Sequence, residues 1–252
     1  SGVVGFNIMP ERAVFADINP HIIKFYNCIK ERKITSSLVR SFLEEQGSLL
    51  ESREDAYYYE VRERFNMTHD PLDFLFLNRS CFNGMIRFNR AFAFNVPFGH
   101  KPQRFSKAYI TKIVNQVACI EELLASHEWI FLCQSFEKTI SMAEGNSFIY
   151  CDPPYIGRHV DYYDSWDEQS EFALCESLKA TDAMFMLSTW DHNEYRKNTY
   201  IDMVWNSCYK LTKDHYYHVG AKEANRKPVM EALLMNYIPA GDGNRLPAAP
   251  CP

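Results

Sequence analysis

The chain of 252 residues has eight cysteines but no Cys-x-x-Cys pair, and no His/Cys cluster at zinc-finger spacing. That argues against a structural zinc site, and the expectation is a chemistry that needs no metal. The cysteines are scattered (Cys28, Cys81, Cys119, Cys133, Cys151, Cys175, Cys208, Cys251), several inside apolar runs, as buried free thiols are. Such usage fits a reducing, cytoplasmic setting better than secretion. No run approaches the roughly 18–20 apolar residues of a membrane span, and no signal peptide is visible, so no membrane partner is expected. There is no internal repeat and no low-complexity tract. Basic excess is missing too: the formal net charge is −5, so any nucleic-acid contact must come from a local patch. At 46% hydrophobic and 23% charged residues, the composition is that of a globular protein, not a disordered one.

One stretch lacks acids altogether. Arg79 to Lys112 holds Arg79, Arg87, Arg90, Lys101, Arg104, Lys107 and Lys112 without one Asp or Glu. Phe82, Phe88, Phe92, Phe94, Phe98 and Phe105 are interleaved, and Asn78, Asn83, Asn89 and Asn95 recur. Arg suits phosphate and guanine, and Asn suits the edge of adenine, so this segment reads as a nucleic-acid surface. The alternative is an irregular loop with solvated cations and phenylalanines in a core.

A second feature is Ile149-Tyr150-Cys151-Asp152-Pro153-Pro154-Tyr155. The apolar run from Ser147 to Cys151 reads as a short buried strand. Neither proline can donate to a sheet ladder, and Pro153 keeps Asp152 out of helical angles. An acid and an aromatic ring therefore sit in a stiff turn at the carboxyl end of a strand, the edge where open α/β sheets bind ligands. A planar base bearing an amino group matches this set. The Asp152 carboxylate and the Pro153 carbonyl could each accept one N–H, which would favour a tetrahedral nitrogen with its lone pair free to attack a methyl donor. Tyr155 could stack on a base flipped out of the duplex. An ordinary β-turn explains the same letters without catalysis.

The remaining elements frame these two. Ser1 to Ile8 reads as the end of a glycine loop passing into a helix. Arg12 to Asp17 reads as a strand ending in an acid, where nucleotide-binding folds hold ribose hydroxyls. Asn19-Pro20 is the better cap for a helix from His21 to Arg32, which frees Asp17. Residues 35–76 read as helical, with a break near Glu45-Gln46-Gly47, and Tyr109 to Ser126 as an amphipathic helix. Strands are expected at Trp129–Cys133, Ala183–Leu187, Met203–Lys210 and Ala232–Tyr237, and helices at Glu137–Ala143, Glu171–Lys179 and Glu194–Lys197. Ile156 to Glu168, with Tyr162 and Tyr163, suits a lid as well as a plain surface loop. Leu211 to Pro228, with Lys213, Lys222, Arg226 and Lys227, offers a second phosphate contact or merely solvated charge.

Taken together, these segments resemble the Dam-like, D12-class family of DNA adenine-N6 methyltransferases. The resemblance rests on Asn83-Gly84 through Arg87 and Asn89 to Phe94-Asn95-Val96-Pro97-Phe98-Gly99, on Phe148 to Tyr155, and on Ala16-Asp17-Ile18-Asn19. It implies an α/β, Rossmann-like fold dependent on S-adenosylmethionine, a mixed sheet with helices on both faces, carrying an inserted, mostly helical target-recognition domain. It implies that Asp152, Pro153, Pro154 and Tyr155 are catalytic, and that Gly2, Asp17 and Phe136 bind the donor. Arg79, Asn83, Arg87, Asn89, Asn95, Lys101 and Arg104 are the DNA-binding candidates. Residues 1–34 and 128–238 would form the catalytic domain with its first strand missing, 35–127 the recognition insertion, and 239–252 a tail. Double-stranded DNA is the implied partner, with a cognate restriction endonuclease as a further one. The alternatives are a DNA-binding fragment without catalysis, and a methyltransferase acting on an RNA base or a glutamine side chain.

Overall fold

The computed structural model describes residues 2–89, 91–157, 166–215 and 229–239. The chain divides between Gln134 and Ser135 into two compact units. The lid residues Tyr162 and Tyr163, the cations Arg90, Lys222, Arg226 and Lys227, Cys251 and the tail after Pro239 lie outside the described residues.

The first unit contains α1 (Val3–Ile8), β1 (Arg12–Asp17), α2 (Pro20–Lys30), α3 (Ser36–Thr68), α4 (Pro71–Ser80), α5 (Lys107–Ser126) and β2 (Glu128–Cys133). β1 and β2 run parallel, Arg12 opposite Glu128 and Asp17 opposite Cys133. α2 starts where Asn19 Oδ1 accepts the His21 N–H at 2.9 Å, with Pro20 at the first helical position. The expected break in α3 is not at Glu45-Gln46-Gly47. Helix continues there, and the backbone leaves helical angles at Glu54 (φ 44°). Gly47 answers a packing demand instead: a Cβ at that position would lie 2.7 Å from the Cβ of Phe105. The buried face of α3 (Val39, Leu43, Leu50, Tyr58, Val61, Phe65) meets Phe76 and Leu77 of α4 and Ile110, Val114 and Val117 of α5. Phe88, Phe94, Val96, Phe98 and Phe105 complete this core, so most phenylalanines of the acid-free segment are interior residues.

The second unit contains α6 (Phe136–Ile140), β3 (Phe148–Cys151), α7 (Glu168–Lys179), β4 (Met184–His192), α8 (Thr199–Val204), β5 (Tyr209–His215) and β6 (Val229–Met235). Its sheet is mixed, in the order β3-β4-β6-β5, with β3 parallel to β4 and β6 antiparallel to both neighbours. Side chains alternate along each strand. Ile149, Cys151, Phe185, Leu187, Ala232 and Leu234 therefore share one face, packed with Leu174 and Leu178 of α7 and Ile201 and Val204 of α8.

Three sequence expectations change here. β4 does not stop at Leu187, because β6 pairs with it from Met186 to His192, so Ser188 to Asp191 lie within the strand. Met203 and Val204 belong to α8, whose start is capped by Asn198 Oδ1 accepting the Tyr200 N–H. Ile201, Val204 and Trp205 are buried at helical spacing, and the strand begins only at Tyr209. Glu194 to Lys197 forms a turn, not a helix, since Asn193 Oδ1 accepts the N–H groups of Tyr195 and Arg196.

Candidate active site

In the second unit, the parallel register of β3 on β4 sets Cys151 opposite Leu187. The next position on each strand places Asp152 beside Ser188, and the Ser188 hydroxyl donates to Asp152 Oδ1 at 2.7 Å. Asp152 is exposed, while Ser188 is 9% exposed. Tyr150, two residues back, lies on the same face and is half-buried. Burial raises the Tyr150 pKa and keeps the phenol protonated. The neighbouring Cys151 thiol is pushed up to about 12, first by burial and then by the Asp152 charge, so it is no thiolate nucleophile at neutral pH.

The prolines that follow make the turn stiff, and two bonds tie down its far end. Trp190 Nε1 donates to the Ile156 carbonyl at 2.8 Å, and the Tyr155 hydroxyl donates to Glu231 Oε1 at 3.4 Å. Tyr150, Asp152, Ser188, Trp190 and Glu231 thus share one face of the sheet, and Ile149, Cys151 and Leu187 the other. Phe136 opens α6 and packs at 5.6 Å on Trp166. Trp166 and Trp205 both donate their indole N–H to the buried Glu171, at 2.6 and 2.7 Å.

In the first unit, Asp17 ends β1 with Oδ1 accepting the Asn19 N–H at 2.7 Å. Gly2 has φ 74°, and a Cβ there would approach the Phe6 ring to 2.8 Å, so conformation and space both call for glycine.

The DNA-binding candidates behave in two ways. Arg79 Nε donates to the Arg104 carbonyl at 3.1 Å, while Arg104 Nη1 donates to the carbonyls of Arg79 at 3.3 Å and Cys81 at 3.2 Å. The Arg79 guanidinium also lies over the Tyr109 ring. Burial, with Arg104 nearby, lowers its pKa. Arg87 Nε donates to Asn95 Oδ1 at 3.0 Å, and Asn89 Oδ1 accepts the N–H groups of Ala91 and Ala93. By contrast Asn83, in a short 3-10 turn with φ 54°, and Lys101 are exposed.

Ser188, Tyr150, Trp190 and Glu231 were not singled out from the sequence. Ser188 and Trp190 leave a trace in the polar run Ser188-Thr189-Trp190-Asp191 after an apolar strand, and Tyr150 lies within the Ile149 to Tyr155 stretch. Among the described residues no group of three His, Cys, Asp or Glu side chains gathers as metal ligands do, and no helix is long and apolar enough to cross a membrane.

Comparison with known proteins agrees with a mixed α/β chain bearing this turn. The model of the D12 class N6 adenine-specific DNA methyltransferases matches residues 1–224, and the chain belongs to that family. It is 31% identical over 190 residues to a DNA adenine methylase of Haemophilus influenzae, covering 72% of this chain and 61% of that protein. It is 34% identical over 254 aligned positions to a DNA adenine methylase of Salmonella typhi, covering 93% of this chain and 83% of that protein. The type II methyltransferase M.FokI of Planomicrobium okeanokoites is 27% identical over 247 residues, 93% of this chain and 37% of its own length.

Proposed function

We propose that this chain transfers a methyl group from S-adenosylmethionine to the N6 amino group of adenine in double-stranded DNA. The observation that carries the reading is the exposed Asp152. One of its carboxylate oxygens is fixed by Ser188, at a proline-stiffened turn closing a parallel strand.

The residues present fit the donor. Gly2 is a position where a side chain would collide with Phe6, and Asp17, one oxygen of which accepts the Asn19 N–H, would hold the ribose hydroxyls. Phe136 flanks the donor's adenine. When bound, S-adenosylmethionine supplies a sulfonium methyl: the amino lone pair forms the new N–C bond, the C–S pair stays with sulfur, and the nitrogen releases one proton to solvent. The Asp152 carboxylate and the Pro153 carbonyl accept the two N–H groups of the target amine, which draws its lone pair out of the ring. Pro154 keeps the turn rigid, and Tyr155, braced by Glu231, stacks on the flipped base. These groups act by orientation and by hydrogen bonds that tighten as the nitrogen becomes tetrahedral.

Residues 1–34 and 128–238 form the catalytic domain on this reading, a Rossmann-like sheet with helices on both faces. Residues 35–127, mostly helical here, read the DNA, and 239–252 are a tail. Arg79, Asn83, Arg87, Asn89, Asn95, Lys101 and Arg104 make up or support the DNA surface. The likeness to M.FokI favours a restriction endonuclease as functional partner. The free thiols of Cys28, Cys81, Cys119, Cys133, Cys151, Cys175 and Cys208 favour the cytoplasm.

The deciding experiment incubates the chain with duplex DNA and S-adenosylmethionine carrying a deuterated methyl group, then digests the DNA for mass spectrometry. Labelled N6-methyladenine is expected. Duplex binding with no labelled base would make this a DNA-binding module, and label on RNA or on glutamine would reassign the substrate.

A further inference from the structure

We propose that Ser188 is the positioning residue for Asp152, holding the carboxylate so that its second oxygen faces the target amino group; this rests on the function proposed above. A carboxylate exposed at a strand end rotates about two side-chain torsions, and only part of that range presents an oxygen to a substrate N–H. Ser188 removes that freedom. Its hydroxyl comes from the adjacent parallel strand, in the register position directly opposite, and reaches Oδ1 at 2.7 Å. Ser188 is itself fixed: buried on β4, it is paired on its other side with Leu233 of β6.

The proposal rests on the serine's own contact, from a buried strand position to an exposed carboxylate. The serine therefore takes one oxygen out of play and sets the plane of the other. Ser188 does not touch the reacting atoms, so its removal should be felt in turnover and not in binding.

The test compares the chain with its Ser188→Ala, Ser188→Cys and Ser188→Thr variants. For Ala we expect kcat for methyl transfer to fall about 10- to 100-fold, the range set by losing one hydrogen bond to a charged group. KM for S-adenosylmethionine and Kd for the duplex should stay within about twofold, well under one tenfold step. Cys, nearly isosteric and a weak donor, should resemble Ala even if Ala proves too unstable to assay. Thr, which keeps the hydroxyl, should recover most of kcat. Wild-type kcat in Cys or Ala, or losses of equal size in folded Ala and Thr, would overturn the proposal.

A crystal structure of Ser188→Cys decides it without activity. Asp152 rotated away from its present position supports positioning, and an unmoved carboxylate overturns it. If the wild type methylates nothing while Asp152 still rotates in the variant, the proposed function fails and the positioning role stands.

Discussion

Between Arg79 and Phe105, the side chains of Arg79, Arg87, Asn89 and Arg104 are engaged within the chain itself, whereas at Asp152 a single serine holds one oxygen of an exposed carboxylate. The two regions have similar raw material: charged and amide groups set among aromatics and turns. In the first, Arg104 and Arg79 each cap the other's carbonyl, Arg87 holds Asn95, and Asn89 closes the loop over Ala91 and Ala93. In the second, a single serine engages one oxygen of a carboxylate that is exposed. A buried carbonyl without a donor costs more than a bond to it contributes, so an irregular segment packed by Phe88, Phe94 and Phe98 recruits its arginines inward. A short turn at the end of a regular strand has few such obligations, and its acid stays available. A cation in the sequence is therefore weaker evidence of a ligand than an acid at a strand end.

That contrast can be broken by mutation. The largest effect is expected at the outward acid: Asp152→Ala should lower methyl transfer by at least about a thousandfold, on the order of 4 kcal/mol of barrier. Duplex affinity by fluorescence anisotropy should stay within a few-fold. Near-normal turnover would remove Asp152 from the chemistry. Next comes an inward cation. Arg104→Ala should cost about 1–3 kcal/mol of stability in urea titration, because two carbonyls lose their donor. An unchanged midpoint with weakened DNA binding would turn Arg104 outward and spoil the contrast.

Asp17→Ala should raise the KM for S-adenosylmethionine about tenfold, the equivalent of roughly 1.4 kcal/mol, with duplex Kd little changed. No change would leave Asp17 as a brace for the Asn19 N–H alone.

His21 tests the interior of the first unit. Burial, then the charges of His69 and Lys24, lower its pKa from 6.5 to about 4. The unfolded chain then binds the proton more readily than the folded one between those values, so this group's contribution to stability is lost as pH falls from about 6.5 to about 4. The slope is at most about 1.4 kcal/mol per pH unit. His21→Phe, which keeps the stacking on Phe88, should flatten melting temperature against pH in that window; parallel curves would contradict this. The smallest effect belongs to the exposed cation: Lys101→Ala should leave stability unchanged and reduce the log–log salt slope of duplex binding by about one if it meets a phosphate.

What was legible in the sequence followed distance along the chain. The strand leading to Asp152, the cap at Asn19 and the helix ending at Ser126 all depend on neighbours within a few residues, and they stand where residue pattern put them. The bond from Ser188 to Asp152 depends on the register of two strands joined through α7, and the brace from Glu231 to Tyr155 on a third strand. No local pattern encodes such pairings. Met203 to Trp205 was misread as strand because a short apolar run suits a strand or a helix equally until something packs on one side of it. Gly47 was misread as a stop because the ring that requires its small size, Phe105, is far away in sequence. For the arginines, residue type was plain and direction was not.

The indoles of the second unit have an optical consequence. Trp190 is hydrogen-bonded to Ile156 just beyond the Asp152 turn, and Trp166 and Trp205 share the Glu171 carboxylate. Three of the chain's four tryptophans therefore sit at joints of the segment running from Asp152 to α8, each with its N–H engaged. Indole emission shifts with the field along its ring. The protein thus carries native indoles beside the Asp152 turn, and a change of their emission on mixing with donor or duplex in a stopped-flow instrument is the expected label-free signal of binding there.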